Sequence, residues 1–518
     1  MTSAGVTGLD DWTQGYLAGL DYSYGYYGEL NPVRVPLPFL IAGLASPEIS
    51  TACELGFGQG ISVNIHAAGS GHQWYGTDFN PAHAAFAQAT AAASGAEAKL
   101  FDQSFAEFCN RTDLPDFEFI GLHGIWSWVS EENQNLIVDF VRRRLKVGGV
   151  LYIGYNTQPG WATMIPVQQL MTEYLELAPP ARDPLARIDA AFNFVEKLCV
   201  TEPIYARANP TVAGHLKACK GFDRVYLAHE YLNRNWLPIP FAEMAKKLAR
   251  AKLTYACSAN LLDFVDAINL TAAQQAFLAE IPDPMFRQSV RDFIVDKQYR
   301  RDYWVKGLRR LSTVEQTEAI ARQRLILTTG SADIAMRLSS TLGEISLIDP
   351  VYAPIIERLA DHKPASIGEI AEVLTSRGVS MDRGYVALAI LAGKGDLQPA
   401  RDAAAVEKAK VQTDKFNLYM LAKARGSDQL SFLASPVTGG GIGVSRIQQL
   451  FLLARAEGWK TPKEWAEVVV RFFAAHGQTI EKDGRAFQTP EEQLADLCAE
   501  ATQFAAKRVP ILEALQIV

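Results

Sequence analysis

Six cysteines in 518 residues are too few and too scattered to staple this chain. They stand at 53, 109, 199, 219, 257 and 498 with no C-x-x-C pair. That spacing argues against a zinc site and fits reduced, mostly buried thiols in a cytoplasmic protein. No apolar run approaches the roughly 18 residues of a membrane span. The first twenty residues lack both the basic and the apolar region of a signal peptide. Basic charge is also scarce. The formal net charge is −7, so general nucleic-acid affinity is not expected. The deficit is concentrated in residues 1–110, where only Arg34 and Lys99 face ten acidic side chains. Such a front end suits cationic ligands, or is a plain acidic surface. No His/Cys/Asp cluster has metal-ligand spacing, so no metal is expected. What remains is ordinary core-forming protein, 48% hydrophobic and 21% charged, long enough for about three domains.

One stretch carries most of the information. Ile49–Leu55 reads as a strand, Glu54-Leu55-Gly56-Phe57-Gly58-Gln59-Gly60 as a glycine turn, and Ile61–Ala68 as the start of a helix. Gln73–Thr77 is a second strand with Asp78 at its tip. This is how a doubly wound α/β sheet holds an adenosine group. A dinucleotide fold wants G-x-G-x-x-G, and its third glycine would fall on Ile61. Gly56, Gly58 and Gly60 instead make G-x-G-x-G behind an acid. That spacing resembles motif I of the class I S-adenosylmethionine (SAM) methyltransferases. Glu54 then supports the methionine part, Gly56 and Gly58 let backbone approach the ligand, and Asp78 accepts the ribose hydroxyls. Phe57, Gly60 and Phe79 complete this wall. Asp102, Gln103 and Ser104, just past a third strand at Ala98–Phe101, fit the adenine edge.

The pattern continues as an α/β, Rossmann-like sheet. Asn80-Pro81 starts a helix running to Ala93, Phe117–Leu122 is the fourth strand, Ser130 caps a helix to Leu145, and Val150–Tyr155 is the fifth strand. Residues 1–47, with Tyr16, Tyr22, Tyr24, Tyr26 and Tyr27, read as a tyrosine-rich cap whose rings cover the ligand or glue the extension to the sheet. We divide the rest into 48–165 (SAM-binding domain), 166–225 (helical insertion with a proline-rich break at 179–184), 226–265 (completion of the sheet, with a strand at Leu253–Ala259) and 266–335 (amphipathic helical region). There follow 336–400, winged-helix-like, with helices at Ser366–Leu374 and Asp382–Gly393 and a wing strand at Asp396–Pro399, and 401–518, α-rich. The 384–391 helix is too apolar to read DNA, so the module packs or binds protein. The block 297–301 reads as a salt-bridged helix face, and Thr438–Gly443 as a flexible lead-in to a helix.

Acceptor-side groups are expected at the tips of the fourth and fifth strands. His123 is a general base, a substrate-orienting group or a structural histidine, and with Gly124 it also borders the cofactor. Trp126 and Trp128 wall a cationic or apolar channel. Tyr155 and Asn156 can orient an amine lone pair. Tyr24, Tyr26, Tyr27, Trp161, His229 and Trp236 complete the substrate-side set. An N-P-P-Y motif is absent, which argues against methylation of nucleobase amines.

The run Tyr24–Pro32, Glu54–Gly60, Leu122–Val129, Tyr155–Trp161, Tyr226–Tyr231 and Arg291–Gly307 together resemble bacterial methyltransferases that carry a methyltransferase regulatory domain. Their best-known relatives are rickettsial protein lysine methyltransferases acting on an outer-membrane protein. The resemblance implies SAM as methyl donor, dimerisation through the helical insertion, and a protein acceptor lysine. A small-molecule or glycan methyltransferase, or a SAM-sensing regulatory protein, are the other readings.

Overall fold

The computed structural model describes residues 22–177, 184–231, 233, 235–478, 481–482, 485–487 and 489–518. Residues 1–21 of the expected cap, with Tyr16, and most of the proline-rich break lie outside the described residues. The central element is a seven-stranded sheet. Its strands are β1 (Thr51–Leu55), β2 (Gln73–Thr77), β3 (Ala98–Phe101), β4 (Phe117–His123), β5 (Leu145–Asn156), β6 (Thr254–Ser258) and β7 (Tyr299–Val305), in the order β3-β2-β1-β4-β5-β7-β6. β1 to β5 run parallel, and β7 is antiparallel to both its neighbours. β4 and β5 are near-continuous apolar runs because helices cover both faces. The helix Pro81–Ser94 starts where Asn80 accepts from the Ala82 amide, and Glu131–Arg144 where Ser130 accepts from Asn133.

The sheet corrects two expectations. Residues 297–301 are not a helix face: Tyr299–Val305 is the strand that fits between β5 and β6, so the sheet is completed well beyond residue 265. Its charges disguised it. Arg300 and Asp302 are buried on one face of β7, where Arg300 bonds Asp302 (2.7 Å) and Asp292 (2.6 Å), and Asp302 accepts from the Tyr155 hydroxyl (2.9 Å). A buried cation between two carboxylates satisfies groups that a polar sequence pattern would place in water.

Between β5 and β6 lie the insertion helices Ile165–Leu177, Pro184–Val200, Ile204–Ala208, Thr211–Cys219 and Arg224–Tyr231. All but Ile204–Ala208, which buries no residue, share a core that includes Met171, Ile188, Phe192, Leu216 and Tyr231. Downstream, helices Ile367–Ser376 and Met381–Lys394 form the expected pair, the first opened by a Ser366/Glu369 capping box. The strand Leu397–Pro399 does not form a wing hairpin. It pairs with Arg324–Leu327, which also pairs with Ala365–Ser366, so the module's central strand lies upstream of residue 336. Leu388, Ile390 and Leu391 of the second helix are buried. The C-terminal region is helical apart from hairpins. Thr438–Gly443 is a correction: it is the turn and second strand of a buried hairpin, Phe432–Ser435 with Gly440–Gly443, where Tyr26 and Asn31 stand so close to Gly440 that a Cβ there would meet them at 2.6 and 2.8 Å.

Removing one partner of the buried Arg300 cluster leaves an uncompensated charge. Asp302→Ala is expected to destabilise the sheet by about 3–5 kcal/mol, read as a lower denaturation midpoint in urea by tryptophan fluorescence.

Candidate active site

The site forms where the carboxyl ends of β1, β2 and β4 meet. β1 delivers Glu54, and the chain then turns through Gly56 (φ 71°) and Gly58 (φ 56°), conformations that side chains resist. The Gly56 amide donates to Thr77 (2.8 Å), tying the turn to the end of β2. Asp78 locks it further, accepting from the Gly58 amide (2.9 Å), the Asn80 amide (3.0 Å) and His83 (3.2 Å). A carboxylate has about four acceptor positions, so Asp78 retains one for a ligand. Glu54 is buried, and its Oε2 has no hydrogen-bond partner among the described residues. Burial and the neighbouring Asp78 push its carboxyl well above the usual carboxylate range.

A cleft opens here, walled by Tyr22, Tyr27, Glu54, Gly56, Phe57, Gly58, Asp78, Phe79, Gln103, Ser104, His123, Gly124, Ile125, Trp128, Asn133 and Asn235, among others. At its inner end Tyr27 stacks on His123 with ring centres 3.9 Å apart. His123 Nδ1 bonds the Tyr152 hydroxyl (2.7 Å), and its Nε2 meets the Tyr299 hydroxyl (3.4 Å). Burial pushes the imidazole down to about 4, so it is neutral at pH 7. Gly154 permits this packing, because a side chain there would collide with the Tyr299 hydroxyl.

Several expected residues stand elsewhere. Asp102 is exposed and outside the wall. Gly60 caps the helix Ile61–Ser70 and packs on Ala87, where a Cβ would come within 2.5 Å; it does not line the cleft. The pleat turns Tyr155 to the opposite face, onto Asp302. Asn156 is buried, its backbone amide on Ser127 and its carbonyl on Ile239, and it lies outside the wall. Trp126 is fully buried in the core beneath β4. Tyr24 packs edge-on to Phe86, and Tyr26 on His66 and Phe432, fixing the cap to neighbouring domains. Trp161 and Trp236, on either side of the insertion helices, pack on each other (5.3 Å) against the insertion core, and His229 has its ring against Tyr22 (5.1 Å).

Tyr22, His83, Ile125, Asn133, Asn235 and Tyr299 were missed as site residues. The tyrosine cluster signalled Tyr22. Tyr299 gave no signal, since its strand reads as polar. A larger cavity of about 410 Å³ lies beyond β6 and β7, lined by Asp263, Arg291, Asp292, Lys297 and Arg300. No motif I residue reaches it, and its charges largely pair with one another. Among the described residues no group of three or more His, Cys, Asp or Glu could hold a metal, and no helix is long and apolar enough to cross a membrane.

A glycine turn with bare backbone, an acid behind it without a partner and a second acid at the tip of β2 fit an adenosyl ligand carrying an ammonium group. Fold and site define a class I SAM-dependent methyltransferase. Residues 223–306 match the family model described as a predicted methyltransferase regulatory domain. The uncharacterized protein sll1526 of Synechocystis is 38% identical over 512 residues, 98% of this chain and 99% of that protein. The uncharacterized protein RP789 of Rickettsia prowazekii is 26% identical over 283 residues, 53% of this chain and 49% of its own. Among solved structures, PKMT2 from Rickettsia typhi in complex with AdoHcy superposes with a TM-score of 0.69 at 16% identity, over 95% of this chain and 99% of that one. The chain belongs to the family of SAM-dependent methyltransferases that carry this regulatory domain.

Two expectations follow. Asp78→Ala removes the loop's anchor and the acceptor position left for a ligand, where a charge-assisted hydrogen bond is worth about 1.5–3 kcal/mol. Calorimetry should show S-adenosylhomocysteine affinity falling about 100-fold or more. For Glu54 the folded state holds the proton more tightly than the unfolded chain, so its burial costs stability as pH rises above the ordinary carboxylate range. Glu54→Gln should therefore melt at a higher temperature than the parent at pH 8 and alike at pH 4, while binding the ligand less tightly.

Proposed function

We propose that this protein is a SAM-dependent protein lysine N-methyltransferase. SAM when bound supplies an electrophilic methyl group on a sulfonium. Glu54 faces the ammonium of its methionine part, Asp78 the ribose, Gly56 and Gly58 its backbone-contacting side, and Phe79, Gln103 and Ser104 its adenine. Tyr22, Tyr27, His123 and Trp128 close the inner end and keep water away from the reacting atoms.

The observation that carries the acceptor reading is the character of that inner end. It is aromatic and electrically neutral, as a channel for a long side chain ending in a cation requires. The fold shared with PKMT2 across nearly the whole chain supports it. The engagement of both His123 nitrogens by tyrosine hydroxyls counts against a hydroxyl acceptor, because neither nitrogen is left to take its proton. The insertion exposes Leu177, Val200, Ile204 and Phe222, apolar surface that suits the homodimer contact inferred for this segment.

Incubating the protein with methyl-labelled SAM and a bacterial protein extract should place label in protein bands, with methyl-lysine recovered on digestion. Label confined to small molecules, or protein label without methyl-lysine, would overturn this reading.

A further inference from the structure

Glu54 and Asp78 are the acidic side chains of the cleft wall, and no lysine or arginine lines it among the described residues. The chain that leads into Tyr22 and Tyr27 adds none, since the first basic residue of the sequence is Arg34. The guanidinium groups that bear on the wall already have acids of their own. Arg111 donates to Gln103 of the wall (3.2 Å) and grips Asp113 with two bonds (3.0 and 2.6 Å). Arg301, whose charge acts on His123, pairs with Glu29 (3.4 Å).

The donors that hold Asp78 are uncharged as well. Two are the backbone amides of Gly58 and Asn80. The third is His83, and Asn80 decides which of its ring nitrogens carries the proton. Asn80 Oδ1 accepts from the Ala82 amide (2.9 Å), which turns its Nδ2 toward His83 Nε2 (3.4 Å). That nitrogen must accept, so the ring proton sits on Nδ1 and is donated to Asp78 (3.2 Å). The wall thus brings two acids together without a counter-charge. Their repulsion adds to burial in pushing the Glu54 carboxyl up, and a proton or a cation must relieve it.

The methyl donor and the product left after transfer differ by one charge. SAM carries an ammonium, a carboxylate and a sulfonium. S-adenosylhomocysteine has the same ammonium and carboxylate beside a neutral thioether. The ammonium answers Glu54 in both, so the sulfonium is the charge on which discrimination can act. Tyr27, Phe57 and Trp128, which also line the cleft, bring no charge to oppose it. We propose that the cleft selects its cofactor by charge: Glu54 and Asp78, without a basic residue in the wall, favour the sulfonium over the thioether, so that losing the methyl group itself loosens the hold on the product. This rests on the methyltransferase class and is independent of the acceptor.

The test is calorimetry on the full chain, without acceptor, using SAM, S-adenosylhomocysteine and sinefungin, which has a protonated amine where SAM has its sulfonium. SAM and sinefungin should each bind about tenfold or more tighter than S-adenosylhomocysteine. Glu54→Gln and Asp78→Asn each remove one carboxylate at nearly constant shape. Each should narrow that ratio by about threefold or more, with an unchanged circular dichroism spectrum as the check on folding, and either variant suffices if the other does not fold. S-adenosylhomocysteine binding as tightly as SAM, or tighter, overturns the proposal. So does sinefungin binding no tighter than S-adenosylhomocysteine, which traces the preference to the methyl group and not to its charge. A ratio that neither variant alters overturns it too. The methyl-lysine assay does not bear on this ratio, so either reading can fail without the other.

Discussion

β7 is the strand on which the site depends. It enters the sheet against the direction of its neighbours and carries two sets of side chains to two faces. On one face Arg300 and Asp302 bind each other, Asp292 and Tyr155, fixing the register against β5. On the other face Tyr299 extends over Gly154 to His123. A one-residue slip would turn every one of these groups to the wrong side. The buried ion cluster thus sets the aromatic geometry around His123, although none of its members lines the cleft. Tyr155 belongs to this support. Its position at the tip of β5 suggested chemistry, and the pleat gives it a structural partner.

The electrostatics of the cleft divide along its length. Carboxylates stand at the cofactor end: Asp78 accepts from two backbone amides, while Glu54 keeps one oxygen without a donor among the described residues. The inner end has tyrosines and a neutral imidazole. A cationic ligand is therefore drawn toward Glu54 and Asp78. The acidic excess of residues 1–110 is consistent with this division, since Glu29, Glu54 and Asp78 all belong to it.

Much of the sheet was legible because parallel strands buried on both faces leave continuous apolar runs, and because Asn80 and Ser130 mark helix starts in the way peptide chemistry requires. The glycine turn and the acids that line the cleft were legible for a related reason. Glu54, Gly56, Gly58 and Asp78 act through local turn geometry, which a few adjacent residues determine. The opposite wall of the cleft is assembled from the cap, the segment after β4 and Asn235 beyond the insertion helices, with Tyr299 of β7 against His123, and nothing local records that meeting. Trp126 and Trp128 illustrate the difference. They are two residues apart, yet one is core and the other lines the cleft, and only the short 3-10 turn at Trp126–Trp128 decides which. β7 was hidden by its own charges, whose compensation lies in Asp292, eight residues from Arg300 in sequence and on a different element.

The length of the chain has a physical consequence for the cofactor end. The helix Ile61–Ser70, which begins at the glycine turn, is buried along its whole length. One side faces the sheet; Ile61, Ile65 and Ala68 belong to the core of the C-terminal region. That region grips the far end of the helix as well. Arg401 donates to the carbonyls of Gly69 (2.5 Å) and Ser70 (2.7 Å), groups that a helix C-terminus leaves without partners. Gly69 lies so close to Gly439 of the hairpin that a Cβ there would meet its backbone at 2.9 Å. A helix of ten residues cannot hold its shape in water by propensity alone. The turn that shapes the cofactor cleft is therefore supported from more than 300 residues away, and the C-terminal region is part of the catalytic fold.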